Sequence, residues 1–447
     1  MRTPRSGSAG VDVDLTRLIR ALGAVRADGH AIAGWSVYVA ETRRASVGTK
    51  DRQTGDAHAP LTLAESLTAR YKLIWDDGRV SRGAMERRAI ERTPEPLLTA
   101  SRAASFPDPD AVDVLGPAAF PEVATHGPAA AAVAAGGIEA FAPRLAAIRE
   151  RVARHGIRTW SGSMHAAEGT SRVVTSSGLD IGGRGTSTGW SATFDGELGA
   201  GHTARDVAPL VDLAGRLDHL VRFVLALRHS AASPREGLLP VILHPDVVED
   251  YVLGVLLHNL DGAQVAHGTG AFRREQFGAA VPVLREDITL RTDPLVPMAA
   301  GAYRFSQEGV PGSPCTYVDG GRLNTPILEL KYARRLGLPP TAFPAAMDTL
   351  FLEGPASVSY DDAIAATAGG ALVLSVLGVH TQDFTSGDFS LSAPQSLAIG
   401  PQGLNGRLRA TISGNVFALL RAKDLTLVRF PGEHTPGLLT RCRLDAA

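Results

Sequence analysis

Histidines that lie close together in a chain are a first place to look for metal chemistry. Three fall between Leu239 and Phe272: His244, His258 and His267. A metallopeptidase helix presents two imidazoles one turn apart on one face, with a glutamate beside the first to activate water. Here His258 is followed by Asn259, and Ala263 stands where the second imidazole belongs. The stretch has the frame of such a helix and lacks its chemistry. A lone histidine late in an amphipathic helix serves more often as a favourable cation at the C-terminal end or as a surface group. His244 and His267 define no site by spacing alone, although strand ends can bring them together.

Other chemistry-bearing motifs are weaker. Gly185-Thr-Ser187-Thr-Gly189 matches G-x-S-x-G, but a nucleophile elbow needs a buried strand before it and a helix after it. Its surroundings are glycine, serine and threonine, so a flexible tip is expected. Cys315 has no neighbouring base or helix N-terminus in sequence to activate it, which favours an inert thiol. Glu308 and Asp319 could pair for acid–base work, against the commoner reading of turn carboxylates that cap backbone amides. No Walker A motif, dinucleotide fingerprint or Cys-x-x-Cys occurs.

These residues need elements to position them. Residues 240–243 form an apolar, β-branched run that fits a buried strand. Asp246-Val-Val-Glu249 has the form of a capping box, and Val248, Tyr251, Val252, Val255, Leu256 and Leu260 make one apolar stripe at helical spacing. Gly262 predicts the end of that helix, and a second short strand is expected from Val265. Earlier in the chain, the pattern predicts a helix over 12–22 and a hairpin from 35–40 and 44–47. A half-buried strand over 66–75 turns at Asp77-Gly78 and returns from Val80. A helix is expected over 84–91, then a proline-broken surface crossing over 94–121. Next come a helix over 138–154, strands over 158–163, 171–176 and 190–194, a loop over 178–189, and a long helix over 207–227. A Ser/Pro/Gly stretch at 231–237 suggests a boundary between two domains, 1–230 and 238–447.

Beyond it, a strand over 287–290, a hairpin over 317–323 and a helix over 328–336 precede short β-like runs at 371–377, 389–391, 396–399, 408–412 and 425–428. Turn residues recur between these runs. The expected fold class is α+β: an N-terminal α/β domain with antiparallel strands and helices, and a C-terminal mainly β domain, barrel- or sandwich-like.

Composition narrows the function. The chain has 447 residues, of which 44% are hydrophobic and 20% charged, so a globular, multi-domain protein is expected. A formal net charge of −1 gives no global field toward nucleic acid or an anionic membrane. No apolar run reaches the ~20 residues that span a bilayer, and the N-terminus lacks the apolar core of a secretory signal. Cys315 and Cys442 make no disulfide framework. These features predict a cytoplasmic protein with no direct nucleic-acid or membrane partner and a disordered first ten residues.

Several segments of the second half occur in the order of a known family. They are the strand and helix from Pro240, Gly268-Thr-Gly-Ala-Phe272, Asp287-Ile-Thr-Leu290 with Thr292-Asp293-Pro294, and Phe305-Ser-Gln-Glu308-Gly309-Val310-Pro311. Leu377-Gly378-Val379-His380 through Thr385-Ser-Gly387-Asp388-Phe389-Ser390, and Thr411-Ile-Ser-Gly414-Asn415-Val416, complete the series. Together they resemble the TldD/PmbA family, also called modulators of DNA gyrase. The first half resembles it only loosely.

The family has two kinds of subunit. The TldD kind carries a His-Glu-x-x-x-His helix and a later cysteine that hold a metal. The PmbA, or TldE, kind lacks them and pairs with the first. This chain contains no His-Glu dipeptide, neither cysteine falls at the expected ligand position, and its Thr411–Val416 segment is of the PmbA kind. It departs from the family at Ser306-Gln307, where acidic residues are usual, and at Ala393-Pro394, where glycine is usual. The resemblance implies a metal-free subunit that pairs with a TldD-like chain in a heterodimer cleaving peptide or amide bonds. The implied substrate is an extended peptide or a small amide, as in peptide proteolysis or N-deacylation during natural-product assembly. It implies no cofactor in this chain and zinc in the partner. No residue of this chain is then assigned to catalysis or to a metal. His244, His258, His267 and His380 are candidates for the cleft or interface. The alternative is a non-enzymatic homodimer that binds a protein partner.

Overall fold

A computed structural model describes residues 14–446, apart from 53–54, 59–60, 137–140, 208–209, 231–235 and 355–356. The expected disorder of the first ten residues, Ile138 and most of the proposed 231–237 boundary lie outside the described residues.

The first half is built on one long antiparallel sheet. Its strands are β1 (His30–Arg52), β2 (Thr62–Trp75), β3 (Arg79–Glu86), β4 (Trp160–Thr175), β5 (Asp180–Phe194) and β6 (Leu198–Ala204), in the spatial order β3-β2-β1-β4-β5-β6. Alternation sets the buried face. Leu67, Ala69, Tyr71, Leu73 and Trp75 of β2 point into a core with Val37 and Val39 of β1, and Leu18 and Leu22 of helix α1 (Thr16–Ala24) close it.

Four expectations are corrected here. The hairpin at 35–47 is one continuous strand, because its polar link keeps full register with both neighbours. The strands at 158–163 and 171–176 are the two ends of β4. The expected loop at 178–189 is mostly β5, paired residue by residue with β4 from Trp160↔Phe194 to Val174↔Asp180. Its glycines signal close approach rather than flexibility: a Cβ on Gly189 would stand 2.6 Å from the His165 ring. The helix expected from Ala84 begins later, at Arg87, because residues 79–86 still pair with β2.

The second half contains a closed barrel. Strands β7 (Gly237–Leu243), β11 (Ala371–Leu377), β12 (Asp388–Gly400), β13 (Gly403–Asn415) and β15 (Gly437–Ala446) pair around a ring, β7 meeting β11 in parallel and β15 antiparallel. Closure removes the free edges that an open sheet would leave. Strand β14 (Thr426–Arg429) extends from β15. A separate small sheet holds β8 (Thr289–Thr292), β9 (Cys315–Asp319) and β10 (Leu350–Glu353). The α+β class is therefore as expected, with the C-terminal β unit resolved as a five-stranded barrel.

Helix packing joins the two halves. Helices α2 (Ala142–Arg154) and α3 (Leu210–Leu227) put Ile148, Leu220, Val221 and Val224 into a core with Phe194 of β5, Ile242 of β7, Leu372 of β11 and Phe430. The predicted helix after β7 is present but changes pitch. It runs as Pro245–Val247, a wider π-helical turn over Val248–Leu253, and α4 (Gly254–Leu260). Val248, Val252, Val255 and Leu256 pack on the barrel residues Val241, Leu391 and Ile412.

Its caps differ from expectation. The His244 ring, not Asp246, caps the start, accepting from the Asp246 amide at 3.2 Å. Gly262 does not end the unit. Asp261 turns the chain and caps α5 (Gly262–His267), so the strand expected from Val265 is helix. Gly262 is required for contact instead: a Cβ would meet the Ile327 carbonyl oxygen at 2.8 Å.

Candidate functional site

The four histidines singled out in sequence occupy separate settings. His244 is buried at the barrel end of β7, edge-on to Phe430 and Phe223 at 4.9 and 5.8 Å. His258 is half-buried on α4, its Nε2 3.5 Å from the Thr385 hydroxyl. His267 is exposed at the end of α5, 6.0 Å from the Tyr332 ring, and His380 is exposed on the turn after β11. Among the described residues, no hydrogen bond or ring contact joins any two of them.

Asn259 decides what the His258 turn can do. It is fully buried. Its amide nitrogen donates to the Val255 and Phe384 carbonyls at 2.9 and 2.7 Å, and its oxygen accepts from the Ala271 amide at 2.6 Å. The side chain is spent on holding α4 to the 384 and 271 loops. A neutral carboxamide with its oxygen so engaged offers neither a metal ligand nor a base, and Ala263 offers no donor atom. These residues do not fit a metal ion. Among the described residues, one group of three potential ligand side chains converges elsewhere: His30, Asp76 and Asp77, at the surface. Arg102 already forks onto Asp77 there, with Nη2 at 2.6 Å.

The remaining motifs resolve simply. Ser187 lies within β5, so the G-x-S-x-G match is no elbow. Burial pushes the Cys315 thiol up to about 11, which keeps it protonated and inert. Glu308 accepts from the Leu330 amide at 2.9 Å, at the start of α6 (Leu330–Leu336), as a turn carboxylate would.

Sequence reasoning missed a charged cleft between the halves. A cavity of about 620 Å³ is walled by Arg44, His165, Trp190 and His202 from the first sheet, and by Arg216, Glu249, Glu433 and His434 from α3 and the C-terminal half. A second cavity of about 310 Å³ adjoins it at Gly201 and Glu249 and reaches Asp246 and Asp250. Across the larger cavity, Arg216 donates to Glu433 at 2.6 Å and meets His202 Nδ1 at 3.1 Å.

Burial dominates the titration of this cleft. It lifts Glu433 to about 7, although Arg216 pulls the other way. It also lifts Glu249 and Asp250. Asp246 faces the same cost of burial, yet the adjacent His244 ring, with Nδ1 3.4 Å from its carboxylate, holds it below the usual range. Burial, then His244, drives His219 down to about 4, so its imidazole is neutral, with Nε2 unpartnered among Phe223, Tyr360 and Phe430. No local sequence pattern marks this cleft, because its charges come from widely separated elements. The acidic run Glu249-Asp250 beside an apolar stripe was the one available signal.

Residues 236–430 match the PmbA/TldA metallopeptidase C-terminal domain. The chain has the fold of the PmbA/TldD/TldE family. A candidate modulator of DNA gyrase from Bacteroides thetaiotaomicron superposes with a TM-score of 0.75 at 16% identity, over 97% of this chain and 98% of that one. TldE from Thermococcus kodakarensis gives 0.72 at 17% identity, over 92% and 97%. A candidate gyrase modulator from Thermotoga maritima gives 0.71 at 16%, over 92% and 96%. At such identities these likenesses carry the fold and nothing finer. No curated protein matches the chain. Among the described residues, no helix is long and apolar enough to cross a membrane.

Proposed function

We propose that this chain is the metal-lacking, TldE/PmbA-like subunit of a two-chain hydrolase that cleaves peptide or amide bonds. Asn259 carries the reading. On the turn where the TldD pattern places His-Glu, this chain has a buried carboxamide whose oxygen and nitrogen are held by its own backbone. The metallopeptidase-family domain supports the reaction class, and the missing ligand set supports assignment of catalysis to a TldD-like partner that brings the zinc. The role of this chain is then to wall the substrate passage and admit an extended peptide or a small amide.

The test is co-expression with a TldD-like chain bearing His-Glu-x-x-x-His, followed by size-exclusion chromatography and peptide and amide hydrolysis assays. Co-elution of the two chains, with activity that depends on the partner's His-Glu pair, is expected. A chain that stays a homodimer beside that partner and adds nothing to its activity overturns the proposal in favour of a protein-binding module.

A further inference from the structure

The interdomain cleft carries opposite charges on walls from different parts of the chain, and among the described residues Arg44 on one wall and Glu249 on the other take part in no ion pair. On the sheet wall, Ser46 of β1 pairs with His165 of β4, so Arg44 and His165 lie diagonally across adjacent strands on one face. Both line the 620 Å³ cavity. Among the described residues, the exposed Arg44 guanidinium makes no hydrogen bond or ion pair, and its nearness, after burial, lowers the His165 pKa. Gly189 opens the space that the His165 ring needs.

On the other wall, Glu249 sits on the π-helical turn, where the chain's extra residue re-aims side chains. Glu249 makes no ion pair among the described residues; the Thr435 hydroxyl and the more distant charge of Arg216 favour its ionised form but do not outweigh its burial, and Arg216 itself is taken up by Glu433. A half-buried carboxylate without a salt-bridge partner is costly, and a cation that reaches it recovers part of that cost. An arginine fork with no carboxylate is its complement. The volume is within the range of small-molecule sites, and Trp190 supplies an apolar wall.

We propose that this cleft binds a small zwitterion, an amino acid or a short peptide with both termini free, its carboxylate held by Arg44 and His165 and its ammonium by Glu249. The site lies at the opposite end of the 245–260 helix run from Asn259. It belongs to this chain alone, so its failure leaves the proposed pairing with a metal subunit standing.

The test is calorimetric titration of the full chain with trialanine, N-acetyl-trialanine and trialanine amide. Free trialanine is expected to bind, and each block to weaken binding by about tenfold or more. Amidation should cost nothing further in Arg44→Gln, and acetylation nothing further in Glu249→Gln, both variants being checked for native circular dichroism. Equal binding of all three ligands, loss on blocking one end only, or no binding of trialanine at about 10 mM overturns the site. The wild-type series alone decides the question if a variant fails to fold.

Discussion

At the scale of single residues, two side chains carry the account. Asn259 joins three segments through one carboxamide. Its replacement by alanine strands the Phe384 carbonyl and the Ala271 amide in the interior and should cost about 3 kcal/mol, read as a lower urea midpoint with an unchanged slope. Asn259→Glu should cost no less, because a carboxylate cannot donate to the two carbonyls. A neutral result for both would remove the structural role assigned here.

Glu433 makes the pH prediction. Its carboxyl ionises near 7 in the folded chain against an ordinary 4.5. The folded state keeps a proton that the unfolded chain releases between those values, so this group lowers stability as pH rises through that window. His219 has the opposite sign. Its imidazole stays neutral down to about 4 against an ordinary 6.5, so its contribution is lost as pH falls from 6.5 toward 4. Glu433→Gln should abolish the first effect only. The urea midpoint of the variant should therefore gain on the wild type between about pH 5 and about pH 8, and a constant difference would contradict the burial of that carboxyl. At this scale the sequence was legible at His258, Asn259 and Ala263, where chemistry depends on local spacing. It was silent on Arg44 and Glu433, whose meeting with Glu249 depends on tertiary contacts.

At the scale of elements, legibility followed periodicity. The alternation of β2 and the apolar stripe of α4 were read correctly because each buries one face. The 178–189 stretch has the composition of a loop, while pairing with β4 from Asp180 onward overrides that preference. The same limit hid the π-helical turn, whose apolar spacing is indistinguishable from a regular helix over so short a run. Barrel closure supplies an element-scale prediction. A Cβ on Gly370 would meet the Pro240 carbonyl oxygen at 2.1 Å, where β11 begins beside β7. Gly370→Ala should cost about 1–3 kcal/mol of unfolding free energy. A variant as stable as the parent in urea would show that the β7–β11 contact is not tight.

At the scale of the whole molecule, the two halves share a core. Leu220 and Val224 of α3 pack with Leu372 and Phe430 of the C-terminal half, and Arg216 ties the same helix to Glu433 at 2.6 Å. The halves should therefore unfold together, as one calorimetric transition rather than two. Two well-separated transitions would show that this core couples them weakly. The family-like order of segments in the second half was legible in sequence, and the loose match of the first half was not enough to foresee its single long sheet.

The most direct test of the central claim is the metal content of the chain purified alone from zinc-supplemented cells, measured by mass spectrometry of the intact protein. The account predicts a mass without zinc, because the turn at 258–263 offers one imidazole, a spent carboxamide and an alanine. A stoichiometric zinc adduct lost on His258→Ala would contradict it.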